Sequence, residues 1–338
     1  MRKGQFLDME LRTSPHMARD LAVNTIMRHV IYALLPLVAM AVYVFGWSAG
    51  LVIAVSTASA LLAEYCVAAF SGRDQTLLDG SAAITGLLLG LTLPPAFPLW
   101  MAAMGGVVSI WLGKTLFGGL GFNVFNPALV GRAFLQAAFP VAITTWSAPF
   151  ALDRFEALPG SLLALPFFKA IPDAMTGATP LSALKFSGEA TEIAALALGT
   201  TAGSAGETGA VLIIVCGAYL ALRRMLDWRI PAGILVTVAV LSALLHWFQP
   251  EYPAPLFMLF SGGLMLGAVF MATDMVTSPV TPLGLWLFAV LIGVLTVIIR
   301  IWGGLPEGVM YAILLANALT PLINMVTQPR IYGARKSS

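Results

Sequence analysis

Most side chains in this chain are apolar, so the groups able to do chemistry are few and stand out. The stretch Pro172-Asp173-Ala174-Met175-Thr176-Gly177-Ala178-Thr179-Pro180-Leu181 lies in the long polar interlude between about Trp146 and Glu207. Gly177 supplies freedom in φ, and Pro180 biases Thr179 toward an extended backbone. Together they are expected to hold the Thr179 hydroxyl out from the backbone rather than fold it into a helix. The plain alternative is a polar turn in a loop outside the membrane.

Three other groups lie within or beside apolar runs. Asn123 and Asn126 sit in Phe122-Asn123-Val124-Phe125-Asn126-Pro127-Ala128. Asparagine amides there can hydrogen-bond a ring edge or an opened helix's backbone, while Pro127 suits helix initiation and Asn126 suits a helix cap. Asp274, in Ala272-Thr273-Asp274-Met275-Val276-Thr277-Ser278-Pro279, combines a carboxylate with neighbouring hydroxyls. Glu64 falls inside an apolar run. A carboxylate at such depth costs about 2.5–3.5 kcal/mol on insertion scales, which makes it a candidate for proton or Na⁺ handling, with Arg132 a conceivable partner. A buried polar contact, or a side chain reaching an interface, explains Glu64 equally well. Cys66 and Cys216 have neither zinc nor iron–sulfur spacing and are expected to be small buried hydrophobes, so no metal site is expected.

These residues must be positioned by membrane helices. Of 338 residues, 59% are hydrophobic and 10% charged, with mean hydropathy +0.89. Soluble domains carry about 25% charged residues. The expected fold is therefore an all-α polytopic membrane protein. A net charge of +2 says little about partners, and no basic stripe with interleaved aromatics points to nucleic acid. No short apolar run ends in a cleavage site, so no signal peptide is expected.

Ten apolar runs are near the length needed to cross a bilayer, at about 29–47, 48–70, 80–94, 98–117, 122–145, 208–226, 230–248, 254–273, 283–302 and 306–326. The third is short and contains Gly86, Gly90, Pro94 and Pro95, which suggests a broken or re-entrant helix. The expected organisation is a cytoplasmic segment 1–28, a membrane half 29–145, a loop 146–207, a second half 208–326 and a tail 327–338. Met17–Met27 suits either a surface helix or an unstructured basic tail. With the N-terminus inside, thirteen Lys and Arg fall on inside segments, against Arg154, Lys169, Lys185 and Arg300 outside. That bias places both termini in the cytoplasm and the Thr179 loop on the other side. Gly86-x-x-x-Gly90 parallels Gly263-x-x-x-Gly267, and Gly118-Gly119-Leu120 with Asn126 parallels Gly303-Gly304-Leu305 with Asn317. Five runs per half would make an inverted repeat with a central site at its interface.

Asp173, Thr176, Gly177, Ala178 and Thr179 match the Asp-x-x-(Ser/Thr)-Gly-Ala-Thr signature of the RnfD and NqrB membrane subunits. The chain resembles that family over nearly its whole membrane region. The short N-terminal part is nearer to RnfD than to NqrB. The Phe-Asn-Pro-Ala element around Asn126 also resembles the family, as does the stretch around Asp274, although Met275 replaces the usual proline. The resemblance implies that a flavin transferase esterifies FMN phosphate onto Thr179, with Lys185 or Lys169 offsetting phosphate charge and Thr176 and Gly177 donating hydrogen bonds. It also implies a second, non-covalent riboflavin, which Asn123, Asn126 and Asp274 are expected to contact. Thr179 is then an anchor, and no catalytic residue is expected.

The implied function is an electron-relaying flavoprotein subunit of an ion-pumping ferredoxin:NAD oxidoreductase in the bacterial inner membrane, coupled to H⁺ or Na⁺ translocation. The partners implied are RnfA, RnfB, RnfC, RnfE, RnfG, the flavin transferase and membrane lipid. Rival readings are a subunit of the NqrB kind, a solute transporter built on an inverted repeat, and a cofactor-free scaffold. Binding of NADH or ferredoxin falls to partners, because the chain has no glycine-rich strand-to-helix loop and no cluster-type cysteines.

Overall fold

A computed structural model describes residues 23–71, 77–166, 177–189, 191–207 and 209–328. The described residues form helices and connections with no strand. The first half contains α1 (Val23–Phe45), α2 (Trp47–Ser71), α3 (Ser81–Thr92), α4 (Leu99–Trp111) and α5 (Pro127–Ala138). The second contains α6 (Ala210–Leu222), α7 (Arg229–Phe248), α8 (Pro255–Phe260), α9 (Leu264–Leu266, continuing as a π turn over Gly267–Met271), α10 (Pro282–Trp302) and α11 (Val309–Thr327). Among the described residues, six segments are long and apolar enough to cross a membrane: α1, α2, α4 with its 3₁₀ extension to Phe117, α7, α10 and α11. The other four apolar runs give shorter or interrupted helices. Most of the Met17–Met27 stretch lies outside the described residues, and its end from Val23 is the start of α1.

The first half is held by close approach of small residues. A Cβ on Gly86 would stand 2.4 Å from Thr57 Cα, and one on Gly90 would stand 2.7 Å from Ile53 Cα. The α3 backbone thus lies directly on α2, the kind of contact that drives helix association in lipid. Ser56 on α2 adds a hydrogen bond to the Gly86 carbonyl at 3.0 Å. A Gly86→Ala variant is expected to lose about 1–3 kcal/mol through overpacking, read as a lower melting temperature in detergent.

The two halves share a packing order. α2 packs on α3 and α4, and α4 on α5; α7 packs on α8 and α10, and α10 on α11. Between halves, α1 meets α6 and α5 meets α11, so first helix pairs with first and last with last. A cation at the end of each fourth helix also reaches the third. Lys114, just past α4, donates to Ser81 Oγ at 2.6 Å. Arg300 on α10 donates to the carbonyls of Met258 and Ser261.

The structure moves the expected break. α3 is short, as its sequence suggests, but continuous through Gly86 and Gly90, and ends at Thr92 before Pro94. The interruption falls in the eighth run, at Ser261-Gly262-Gly263, where Gly262 adopts φ 61°. Arg300 satisfies carbonyls at that break. Sequence charge alone could not find it, because Arg300 reads as a loop residue. Cys216 is buried as expected, whereas Cys66 is exposed on the α2 surface.

Candidate functional site

Thr179 is built into the structure by three attachments of its own loop. Gly177 N donates to Trp146 O at 3.2 Å. Leu181 is buried with Phe257 of α8 and Leu196, and lies beside Gly262 at the helix break. Lys185 Nζ donates to the carbonyls of Arg300, at 2.9 Å, and Gly303, closing the C-terminal end of α10. Pro180 has the expected consequence: Thr179 is extended at φ −66°, ψ 153°. Its hydroxyl nevertheless caps the helical turn Pro180–Ser182, accepting from Ser182 N at 3.3 Å and lying 2.9 Å from Ser182 Oγ. The residue is 4% exposed.

Thr179, Gly177 and Ala178 line a cavity of about 370 Å³. Its walls come from both halves, with Arg132 of α5 facing Glu307 and Tyr311 near the start of α11, and the π turn closing one side. Arg132 Nη2 donates to Glu307 Oε2 at 3.0 Å. Arg132 is 5% exposed, and its Nη1 is buried with no partner among the described residues. Glu207 also lines the cavity. It is fixed because Ala205 N and Gly206 N donate to the carbonyls of Leu93 and Leu91 at the end of α3. Burial pushes the Glu207 carboxyl up to about 8, helped by the neighbouring Glu307 charge and opposed by Arg132 and Arg300.

This shift has a stability consequence. An acid whose folded pKa is raised holds its proton better folded than unfolded, so its favourable contribution is complete below the usual carboxylate range and declines as pH rises toward about 8. Between pH 5 and about 8 the melting temperature of the wild type is expected to fall more steeply than that of Glu207→Gln. Parallel curves would show that Glu207 is not the group responsible.

A second cavity, of about 90 Å³, lies among the starts of α1, α3 and α5, the end of α6 and the π turn. It brings together Asn123, Asn126 and Asp274, as expected, along with Ser81 and Lys114. Asn126 caps α5, accepting from Ala128 N at 3.0 Å and Leu129 N at 3.4 Å, and its Nδ2 donates to Met271 O at 3.1 Å across to the other half. Helix capping and contact with an opened helix are thus both realised. Asn123 Oδ1 is buried without a partner among the described residues. Asp274 accepts from Val276 N at 3.2 Å and Thr277 Oγ1 at 3.4 Å. Gly267 and Met271 of the π turn border the first cavity, and Val269 and Phe270 border the second.

Several expectations change in detail. Glu64 does not pair with Arg132. It forms a buried ion pair with Lys114 at 2.6 Å, while Arg132 holds Glu307. Lys185 caps α10 and is not among the residues lining the Thr179 cavity, where Arg132 stands. Lys114 and Arg300 are buried rather than solvated loop charges, although leaving both out keeps the Lys/Arg asymmetry. Asp173, Thr176 and Lys169 lie outside the described residues. Sequence reasoning missed Glu207 and Glu307. The available signal was that each carboxylate stands within three residues of the start of an apolar helix, α6 or α11.

Taken together, these features define a polytopic helical membrane protein with a buried hydroxyl and a charge cluster enclosed between two similarly packed halves. Residues 10–333 match the model of the NQR2, RnfD, RnfE family, and the chain belongs to that family. It is similar to the D subunit of the ion-translocating oxidoreductase complex of Stutzerimonas stutzeri, with 44% identity over 92% of each chain. The D subunit of the proton-translocating ferredoxin:NAD(+) oxidoreductase complex of Clostridium ljungdahlii is 41% identical over 96% of each chain. The Na(+)-translocating counterpart from Acetobacterium woodii is 37% identical, covering 98% of this chain and 97% of its own.

Proposed function

We propose that this chain is the D subunit of an Rnf-type ion-translocating ferredoxin:NAD oxidoreductase, carrying FMN esterified to Thr179. The observation that carries the reading is the buried Thr179 hydroxyl inside a cavity of about 370 Å³ that also contains a guanidinium. That volume falls within the roughly 300–1,000 Å³ range of cofactor sites. The bound flavin supplies one-electron redox chemistry, and the protein supplies position, hydrogen bonds and dielectric.

Attachment forms one bond between Thr179 Oγ1 and phosphorus. It breaks the bond from that phosphorus to the leaving group of an activated flavin nucleotide, and releases the hydroxyl proton. A separate flavin transferase performs this step. Thr179 then tethers the group against walls supplied by α5, α11 and the π turn. The Lys and Arg asymmetry supports an extracytoplasmic position for this loop and cytoplasmic termini in the inner membrane. Ferredoxin and NAD binding belong to the other subunits of the complex.

The second cavity does not fit a flavin as it stands. About 90 Å³ is far below the range for such ligands. Non-covalent riboflavin at Asn123, Asn126 and Asp274 is therefore not part of this reading. Relatives of both proton- and Na(+)-translocating description match at similar identity, and that similarity favours neither ion. The test is the intact mass of the purified chain. A mass equal to that of the amino acids plus one FMN phosphoester is expected, whereas the bare polypeptide mass would favour a solute transporter or scaffold.

A further inference from the structure

We propose that Arg132 is the residue that receives the phosphate of the nucleotide tethered to Thr179, with Glu307 holding its guanidinium in place. The inference rests on the flavin reading of Thr179 and assigns a role within it. Arg132 is the lining cation of the cavity among the described residues; of the two sequence candidates for this task, Lys185 is committed to backbone carbonyls and Lys169 lies outside the described residues.

A guanidinium carries five N–H donors and does not lose its charge. Here one nitrogen, Nη2, is used by Glu307 at 3.0 Å. The other, Nη1, is buried without a partner among the described residues. A buried donor in that state forfeits its hydration unless an acceptor arrives. A phosphodiester offers two unesterified oxygens of the shape and charge that arginine binds best. Placement agrees with this role, because Arg132 and Thr179 line the same cavity from different elements.

Charge balance agrees as well. Arg132 and Arg300 both act on the Glu207–Glu307 cluster. With Glu207 protonated, two arginines stand against one carboxylate, leaving a single positive charge. A phosphodiester carries a single negative charge. Attachment therefore neutralises the cluster, whereas an empty cavity leaves it charged in a low-dielectric setting.

The experiment uses the full chain, produced with and without its flavin transferase. Melting temperature and, for the flavinylated form, the ³¹P resonance of the phosphodiester are measured. Attachment is expected to raise the wild-type melting temperature. The Arg132→Gln/Glu307→Gln double variant removes the charge pair together and leaves no unpaired buried carboxylate at Glu307. It is expected to lose the stabilisation by FMN and to shift the ³¹P resonance toward that of a free phosphodiester.

Arg132→Lys keeps the charge and the Glu307 partner, and is expected to retain part of both effects. It also serves if the double variant does not fold. Then a Lys variant with full stabilisation and an unshifted resonance overturns the assignment. Full stabilisation and an unshifted resonance in the double variant overturn it likewise, while leaving the Thr179 reading intact. Absence of any FMN mass on the wild type overturns both.

Discussion

Thr179→Val is expected to abolish the covalent flavin completely: no FMN mass increment and no in-gel flavin fluorescence from the denatured chain. Valine keeps the branched shape and removes only the nucleophile. The side effect is small. Thr179 Oγ1 accepts from Ser182 N at 3.3 Å, and losing such a cap costs about 0.5–2 kcal/mol. Leu181 against Phe257 and Lys185 on the end of α10 still hold the loop, so the chain should remain folded and membrane-inserted. Thr179→Ser keeps the oxygen and should retain flavin. Fluorescence persisting in the valine variant would move the attachment elsewhere. Its absence from both wild type and variant would end the flavin account and restore the transporter or scaffold reading.

The largest stability effect is expected at Lys114. Lys114 and Glu64 form an ion pair at 2.6 Å with side chains 4% and 6% exposed. Lys114 also donates to Ser81 Oγ, which itself donates to Asp79 Oδ1 at 2.6 Å. Lys114→Met takes the Lys114 ammonium away from the buried Glu64 carboxylate, and breaking one side of such a pair costs about 3–5 kcal/mol. The double variant Lys114→Met/Glu64→Leu removes both charges and should lie closer to the wild type than the single variant, because desolvating a buried pair offsets most of its attraction. Thermal unfolding in detergent separates the two. Equal losses in the single and double variants would show that the pair acts through something other than mutual charge.

Much of this architecture was legible because lipid imposes a simple requirement on sequence. The apolar runs fall on helices of the structure, six of them long enough to cross a membrane among the described residues, and α2, α7 and α10 agree with their runs within a residue or so. The Thr179 backbone was legible because proline restricts its neighbour regardless of tertiary context. Asn126 was legible as a cap for a similarly local reason. What escaped depends on contacts between segments far apart in the chain. Glu64 could not be matched to Lys114 rather than Arg132, since both cations lie at plausible depth and only packing decides. Glu207 and Glu307 drew no role from the sequence, because nothing local shows that a loop folds back over the end of α3. The helix break escaped for another reason: glycines at matching spacing serve close packing in α3 and interruption between α8 and α9, and their pattern is the same.

The π turn Gly267–Met271, bridged to α5 by Asn126, is the common wall of the two cavities. Hollows that fill with water from opposite ends would thin the insulating layer to this one partition. Most of an applied membrane voltage would then drop across it instead of being spread through about 30 Å of hydrocarbon. A charge crossing the partition would experience nearly the full 2.3 kcal/mol per 100 mV, although it moves only a short way. The contact between Asn126 and Met271 would thus mark where transmembrane voltage acts most strongly on a moving charge.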